Sequence, residues 1–149
     1  MSENLYEILQ SRFPANPDAP CLILPNGSEV SYGRLQQESA RCANLLVSRG
    51  VEPGDRVAAQ VRKSPQALFL YLGCLRAGAV FLPMNDAYQR HEIEYFLSDA
   101  MPHMFVCRPQ LRPLADELAA KAGVAQILEL DDDGGGSLAA AAADEGDDF

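Results

Sequence analysis

Residues 56–83 read RVAAQVRKSPQALFLYLGCLRAGAVFLP, and three structural signals follow one another within them. From Arg56 to Arg62, Val57, Ala59 and Val61 recur at every second position, the period of a β-strand. Ser64 suits an N-cap, and Pro65 suits the first helical position, where its missing N–H leaves no bond unmade. Gln66 to Arg76 is then a helix that is apolar nearly all round (Ala67, Leu68, Phe69, Leu70, Tyr71, Leu72), which predicts burial on most sides. Gly78 stops that helix, and Ala79-Val80-Phe81-Leu82 is a short apolar strand closed by Pro83. Strand, buried helix and strand make a βαβ unit, so the fold class is α/β with a largely parallel sheet and flanking helices.

The same alternation continues on both sides. Downstream, a loop from Met84 to Gln89 leads to a helix over about Arg90 to Ala100, with Ile93, Phe96 and Leu97 inward. Met104 to Cys107 is a strand, Leu111, Leu114, Ala115 and Leu118 mark a helix closed by Gly123, and Gln126 to Leu130 is the last strand. Upstream, Ser31 caps a helix with Leu35, Cys42, Leu45 and Leu46 on one face, stopped by Gly50. Before it, Cys21-Leu22-Ile23-Leu24 and Glu29-Val30-Ser31 flank Pro25-Asn26-Gly27, a hairpin signal, because Asn-Gly readily takes the positive φ of a tight turn. Pro14, Pro17 and Pro20 impose an extended connector. The chain starts with a short amphipathic helix in which Leu5, Ile8, Leu9 and Phe13 share a face and Ser2 is available as N-cap.

The chain has 149 residues, enough for one domain with a sizeable core. Its 12 Lys and Arg against 21 Asp and Glu give a formal charge of −9. That charge is concentrated at the end: residues 131–149 carry seven acids and no base, while residues 1–130 are close to neutral. The organisation expected is therefore an α/β part over residues 1–130 and an acidic Gly/Ala-rich linker or tail over residues 131–149. In the tail, Asp131 to Gly136 reads as a solvated linker and Ser137 to Ala143 as a helical turn, and nothing local orders Asp144 to Phe149. The bases are scattered singly apart from Arg62-Lys63, which excludes the clustered cations of a nucleic-acid binder. The longest uncharged run, residues 64–75, falls short of the roughly 20 apolar residues that span a membrane. Met1-Ser2-Glu3-Asn4 has neither a basic start nor an apolar stretch, so the expected location is the cytoplasm. Cys21, Cys42, Cys74 and Cys107 lie far apart in sequence and away from any histidine, as suits reduced, buried thiols rather than a zinc site.

No catalytic constellation is legible from spacing. There is no G-x-G-x-x-G, no phosphate-loop motif and no G-x-S-x-G, and Gly134-Gly135-Gly136 follows three aspartates whose charge repels phosphate. His91 and His103 need a spatial partner carboxylate before either can act as a base. Catalytic, cofactor-binding and metal residues are accordingly assigned to none, and the chain's status as an enzyme stays open on its residues alone.

Three segments in order resemble the N-terminal portion of the adenylate-forming acyl-CoA synthetases. Val30-Ser31-Tyr32-Gly33-Arg34-Leu35 is similar to the family's (T/S)-Y-x-x-L opening, and Gly54-Asp55-Arg56-Val57-Ala58 to its G-D-R-V-A turn and strand. Residues 75–85, LRAGAVFLPMN, are similar to its L-(K/R)-A-G-A-x-(Y/F)-x-P-x-(D/N) motif. Within the family, the runs 63–72, 82–88 and 92–100 resemble malonyl-CoA synthetases most, with Met84 and Asp86 standing where those have leucine and threonine. The resemblance implies an incomplete part of the family's large N-terminal domain.

It also implies a parent reaction in which a carboxylate and ATP release pyrophosphate and the acyl group passes to coenzyme A, with malonate or a small dicarboxylate as the acid. ATP, Mg²⁺ and coenzyme A are implied for the full-length enzyme and none is expected to be held by this chain alone. The family's Pro-Lys-Gly loop, Tyr-Gly-x-Thr-Glu segment, later Asp and Arg, and C-terminal lysine are not in this sequence, so isolated inactivity is expected. Arg76 and Asp55 are expected as framework residues that pair or cap at element ends. The expected partners are the remainder of the synthetase, or a second copy through exposed apolar surface. The alternative function is a non-catalytic α/β protein-interaction module.

Overall fold

The computed structural model describes residues 3–149. Helix α1 (Leu5–Gln10) precedes a hairpin of β1 (Pro20–Ile23) and β2 (Glu29–Ser31), and helix α2 (Tyr32–Ser48) follows directly. The alternating part consists of β3 (Arg56–Gln60), α3 (Pro65–Ala77), β4 (Val80–Pro83), α4 (Arg90–Ala100), β5 (Met104–Cys107), α5 (Arg112–Ala122) and β6 (Gln126–Glu129), and α6 (Ser137–Ala143) closes the chain. Strands β3 to β6 form one sheet in the order β4-β3-β5-β6, and every neighbouring pair in it is parallel.

The local signals act as their chemistry requires. Ser31 Oγ accepts from Arg34 N at 3.2 Å, and Ser64 Oγ accepts from Ala67 N at 3.1 Å with Pro65 opening α3. Gly78 ends α3 at φ 72°, the left-handed conformation in which a side chain is strained. No residue of α3 is exposed, as its all-round apolar sequence predicts.

The sheet is covered on both faces. On one, Val57, Ala59, Met104, Val106 and Leu128 pack with α2, α3 and Leu138 and Ala142 of α6. On the other, Ala58, Phe105 and Cys107 pack with Ile93 and Leu97 of α4 and Ala115 and Leu118 of α5. Adjacent residues of one strand thus belong to two different apolar clusters, as period-2 alternation in a doubly covered sheet dictates.

Two expectations differ from the structure. The first concerns α1: Ser2 lies outside the described residues, and Asn4 is the cap, its Oδ1 accepting from Tyr6 N at 2.8 Å. Tyr6 is the buried residue of this helix, while Leu5, Ile8 and Leu9 are exposed. Phe13 lies past the helix end, where its ring centroid is 4.8 Å from that of Tyr32. A two-turn helix docks through whichever side chain finds a polar partner for its tip, and Arg76 supplies one for the Tyr6 hydroxyl.

The second concerns residues 131–149, expected as a solvated linker and tail. Asp131 N donates to Gly135 O and Gly134 N to Asp131 O, so the aspartate–glycine run is a closed turn. After α6 the chain lies along α2: Arg41 Nη1 donates to Ala143 O and Glu145 O at 3.0 and 2.6 Å, and Asn44 Nδ2 to Gly146 O and Asp148 O, both at 2.9 Å. Main-chain carbonyls and two long polar side chains provide an order that the acidic composition does not announce.

Candidate functional site

In open parallel sheets, ligands bind at the carboxyl ends of the strands, where the chain's path reverses. Here β3 is followed by β4 on one side, and β5 lies on its other side, so the reversal falls between the carboxyl ends of β3 and β5. Gln60 ends β3 and Cys107 ends β5, and the two are register partners. A crevice of about 170 Å³ opens there, lined by Gln60, Asp86, Tyr88, Gln89, Arg108 and Leu114 among others.

Strand alternation would turn Gln60 toward solvent on a one-sided sheet. Helices α4 and α5 cover that face, and Gln60 is 3% exposed. Its Nε2 donates to Asn85 O at 2.9 Å and Tyr88 O at 3.0 Å, tying the loop after β4 to the end of β3. Its Oε1 is buried and bonds to nothing among the described residues. A buried acceptor left unpaired costs on the order of 1–3 kcal/mol, a cost set here against the two bonds by which the same amide holds the loop after β4. Sequence reasoning missed Gln60, although a lone amide at the end of an otherwise apolar strand was the available signal.

The other groups on this edge are mutually engaged. Arg62 Nη1 donates to Asp132 Oδ2 at 2.9 Å, and its Nε lies 3.6 Å from Asp86 Oδ2, so one guanidinium joins the loops after β3, β4 and β6. The glycine run is packed against protein: a Cβ on Gly134 would fall 2.6 Å or less from the Gln66 side-chain amide, and one on Gly136 2.4 Å from Glu129 O. Among the described residues, no three His, Cys, Asp or Glu side chains converge as a metal site.

The remaining sequence candidates lie elsewhere. His103 does acquire a carboxylate neighbour, with Nδ1 3.4 Å from Asp55 Oδ2, but at the amino ends of the strands. Its Nε2 lies 3.1 Å from Arg49 O and 3.0 Å from Gln126 Nε2, so both ring nitrogens are committed to joining α2, β3 and β6. Asp55 Oδ2 also accepts from Glu52 N at 2.9 Å, which caps the turn before β3. His91 is exposed on α4. Arg76 donates to the Tyr6 hydroxyl, Gln36 O and Ser39 Oγ at 2.8–3.0 Å, which makes it a joint between α1, α2 and α3. Cys42, Cys74 and Cys107 are buried and unbridged, and burial pushes each thiol up to about 12.

Comparison with known proteins agrees with this geometry. ATP-bound MatB from Rhodopseudomonas palustris superposes with a TM-score of 0.94 at 44% identity, over 100% of this chain and 29% of that one. The N-terminal domain of FACL13 from Mycobacterium tuberculosis superposes with a TM-score of 0.85 at 25% identity, over 99% of this chain and 38% of that one. Dimodular nonribosomal peptide synthase of Bacillus subtilis is 34% identical over 117 residues, 78% of this chain and 5% of its own length. The chain thus spans less than a third of MatB and a far smaller share of the multidomain peptide synthetases. The family model described as AMP-binding enzyme matches residues 9–148, nearly the whole chain, and the chain belongs to that family of adenylate-forming enzymes.

Proposed function

We propose that this chain forms the N-terminal frame of the large domain of an ATP-dependent acid–CoA ligase that activates malonate or a small dicarboxylate. The observation that carries the reading is the 44% identity over its full length with ATP-bound MatB, a malonyl-CoA synthetase. Peptide synthetases among the relatives share 26–34% identity, a weaker claim on the same residues.

The chain's own residues do not fit ATP, Mg²⁺ or coenzyme A. Transfer of a nucleotidyl group needs cations free to meet developing phosphate charge. Arg62 is held by Asp86 and Asp132, the glycines after Asp133 are packed against Gln66 and Glu129, and Arg108 is a single cation beside Asp86 in a crevice of about 170 Å³, below the size of a nucleotide pocket. What the chain supplies is a rigid parallel sheet and a fixed loop 84–89 for working parts carried elsewhere. In isolation it is inactive.

The test is pyrophosphate release by purified residues 1–149 with malonate, ATP, Mg²⁺ and coenzyme A, beside a chimera in which this chain replaces the matching segment of MatB. The isolated chain is expected to give no signal and the chimera a malonate-dependent one. Release by the isolated chain, or a folded chimera without activity, overturns the reading.

A second reading, the non-catalytic interaction module, is favoured by one observation. Leu5, Ile8 and Leu9 leave an apolar ridge on α1 that is 39–47% exposed. Size-exclusion chromatography and dye binding test it: a monomer with no apolar-dye signal sinks this second reading.

A further inference from the structure

At the amino ends of the strands, the half-buried ring of His103 sits between the end of α2, the turn before β3 and the first residue of β6. Gln126 Nε2 donates to Arg49 O at 2.8 Å. That bond fixes the amide's orientation, because the reverse would set Oε1 against the carbonyl oxygen. The same Nε2 lies 3.0 Å from His103 Nε2, so its second hydrogen meets a lone pair on the ring. The ring proton is therefore on Nδ1, 3.4 Å from Asp55 Oδ2.

Arg49 O is also within reach of the ring, 3.1 Å from His103 Nε2. A ring nitrogen has one in-plane position, filled either by a lone pair or by a proton. With the lone pair there, Nε2 accepts from Gln126; with a proton there, it donates to Arg49 O. In the second state the amide and the imidazolium are two donors 3.0 Å apart, and the amide is driven off. Asp55 and the carbonyls at the carboxyl end of α2 both favour the cation. The other charged side chains on these elements are Arg49 at the end of α2, Glu52 in the turn and Arg56 on β3. Arg56 donates to Ala100 O, and among the described residues Asp55 is the charged group that contacts the ring.

We propose that His103 is a pH-operated clasp, which hands the end of α2 from β6 to β5 when the ring takes up a proton from solvent. In the neutral state Gln126 ties the start of β6 to Arg49 O; in the protonated state His103, just before β5, holds that carbonyl instead. Strand β6 is the edge of the order β4-β3-β5-β6, so it has one paired neighbour and loosens when this tether is lost. The clasp is independent of the ligase reading, because none of these groups is assigned a part in acyl transfer.

The test is ¹⁵N NMR of the full chain between about pH 8 and pH 5.5, the range in which histidines change charge. At the upper end His103 is expected as the Nδ1–H tautomer. On acidification the Gln126 side-chain amide is expected to shift in step with the His103 ring and out of step with exposed His91. Amide exchange in β6, corrected for its intrinsic pH dependence, is expected to be several-fold faster at the acid end. In Gln126→Met it is expected to be equally fast at both ends, since the tether is absent throughout. An Nε2–H tautomer in the neutral ring, a Gln126 amide that ignores the ring's protonation, or β6 exchange still pH-dependent in Gln126→Met overturns the proposal.

Discussion

Arg76 Nη1 donates to the Tyr6 hydroxyl at 2.8 Å, while its guanidinium carbon lies 4.3 Å from the centroid of the same ring. One side chain near the end of α3 thus fixes a residue 70 positions earlier by a hydrogen bond and by its charge over the ring face. Partial burial lowers the Arg76 pKa, and the Tyr6 and Asp148 neighbours oppose that shift.

Arg76→Ala is expected to lower stability by about 2–3 kcal/mol, since it leaves the Tyr6 hydroxyl and Ser39 Oγ without this donor and removes one of the bonds to Gln36 O, which keeps that from Ser39 Oγ. Arg76→Lys is expected to recover only part, because an ammonium does not reproduce the planar fork. Urea unfolding measures both; a change under 0.5 kcal/mol for the alanine variant would remove Arg76 from the framework.

Gly73 offers a test of sign. In the middle of a helix, Gly→Ala ordinarily stabilises by up to about 1 kcal/mol. At Gly73 an added Cβ would lie 2.6 Å from Cys42 Cβ and 3.0 Å from Ala43 N, where α2 and α3 touch. Gly73→Ala is therefore expected to destabilise, by roughly 1–3 kcal/mol. A rise in melting temperature would show that the helices part at little cost.

The buried thiols set an alkaline limit. Cys42, Cys74 and Cys107 are held near 12 in the folded chain, desolvation being the main cause, whereas an unfolded thiol ionises near 9. Above that value the unfolded state has shed protons the native state keeps, so stability falls as pH rises from about 9 toward 12. Each thiol contributes up to about 1.4 kcal/mol per pH unit. Unfolding free energies at pH 8, 9 and 10 check the slope, and Cys74→Ala should flatten it. Under native conditions Cys21, which is only half-buried, should react first with a thiol reagent.

The docked tail predicts a local effect. Arg41→Ala removes two bonds to tail carbonyls and the 3.8 Å ion pair with Asp147. Residues 144–149 should then be cleaved faster by protease, while global stability drops by no more than about 1 kcal/mol, as suits half-exposed contacts. Unchanged cleavage would mean that Asn44, Ser48 and Arg76, which also bond residues 145–149, hold the tail without Arg41.

Elements that depend on local chemistry were legible. Ser31, Ser64 and Gly78 mark helix ends through bonds and dihedrals made within a few residues, and the strands announce themselves by apolar runs. What escaped depends on distant partners. Tyr6 is inward because of Arg76, the tail is ordered because of Arg41 and Asn44, and His103 meets Asp55 only after β3 and β5 pair. The crevice escaped for the same reason. Gln60 reads as an ordinary polar strand residue until α4 and α5 cover its face.

The sheet is also a partition. Phe105 and Val106 are neighbours in sequence, yet they serve different interiors, one shared with α4 and α5, the other with α2 and α3. Trimming Phe105 leaves a void that α2 and α3 have no way to fill, and trimming Val106 leaves one beyond the reach of α4 and α5. Two such losses share a strand backbone but no packing neighbours, so they should couple less than two on the same side, which share a cavity. A chain of this size that divides its oil between two small reservoirs has little in reserve on either side of the wall.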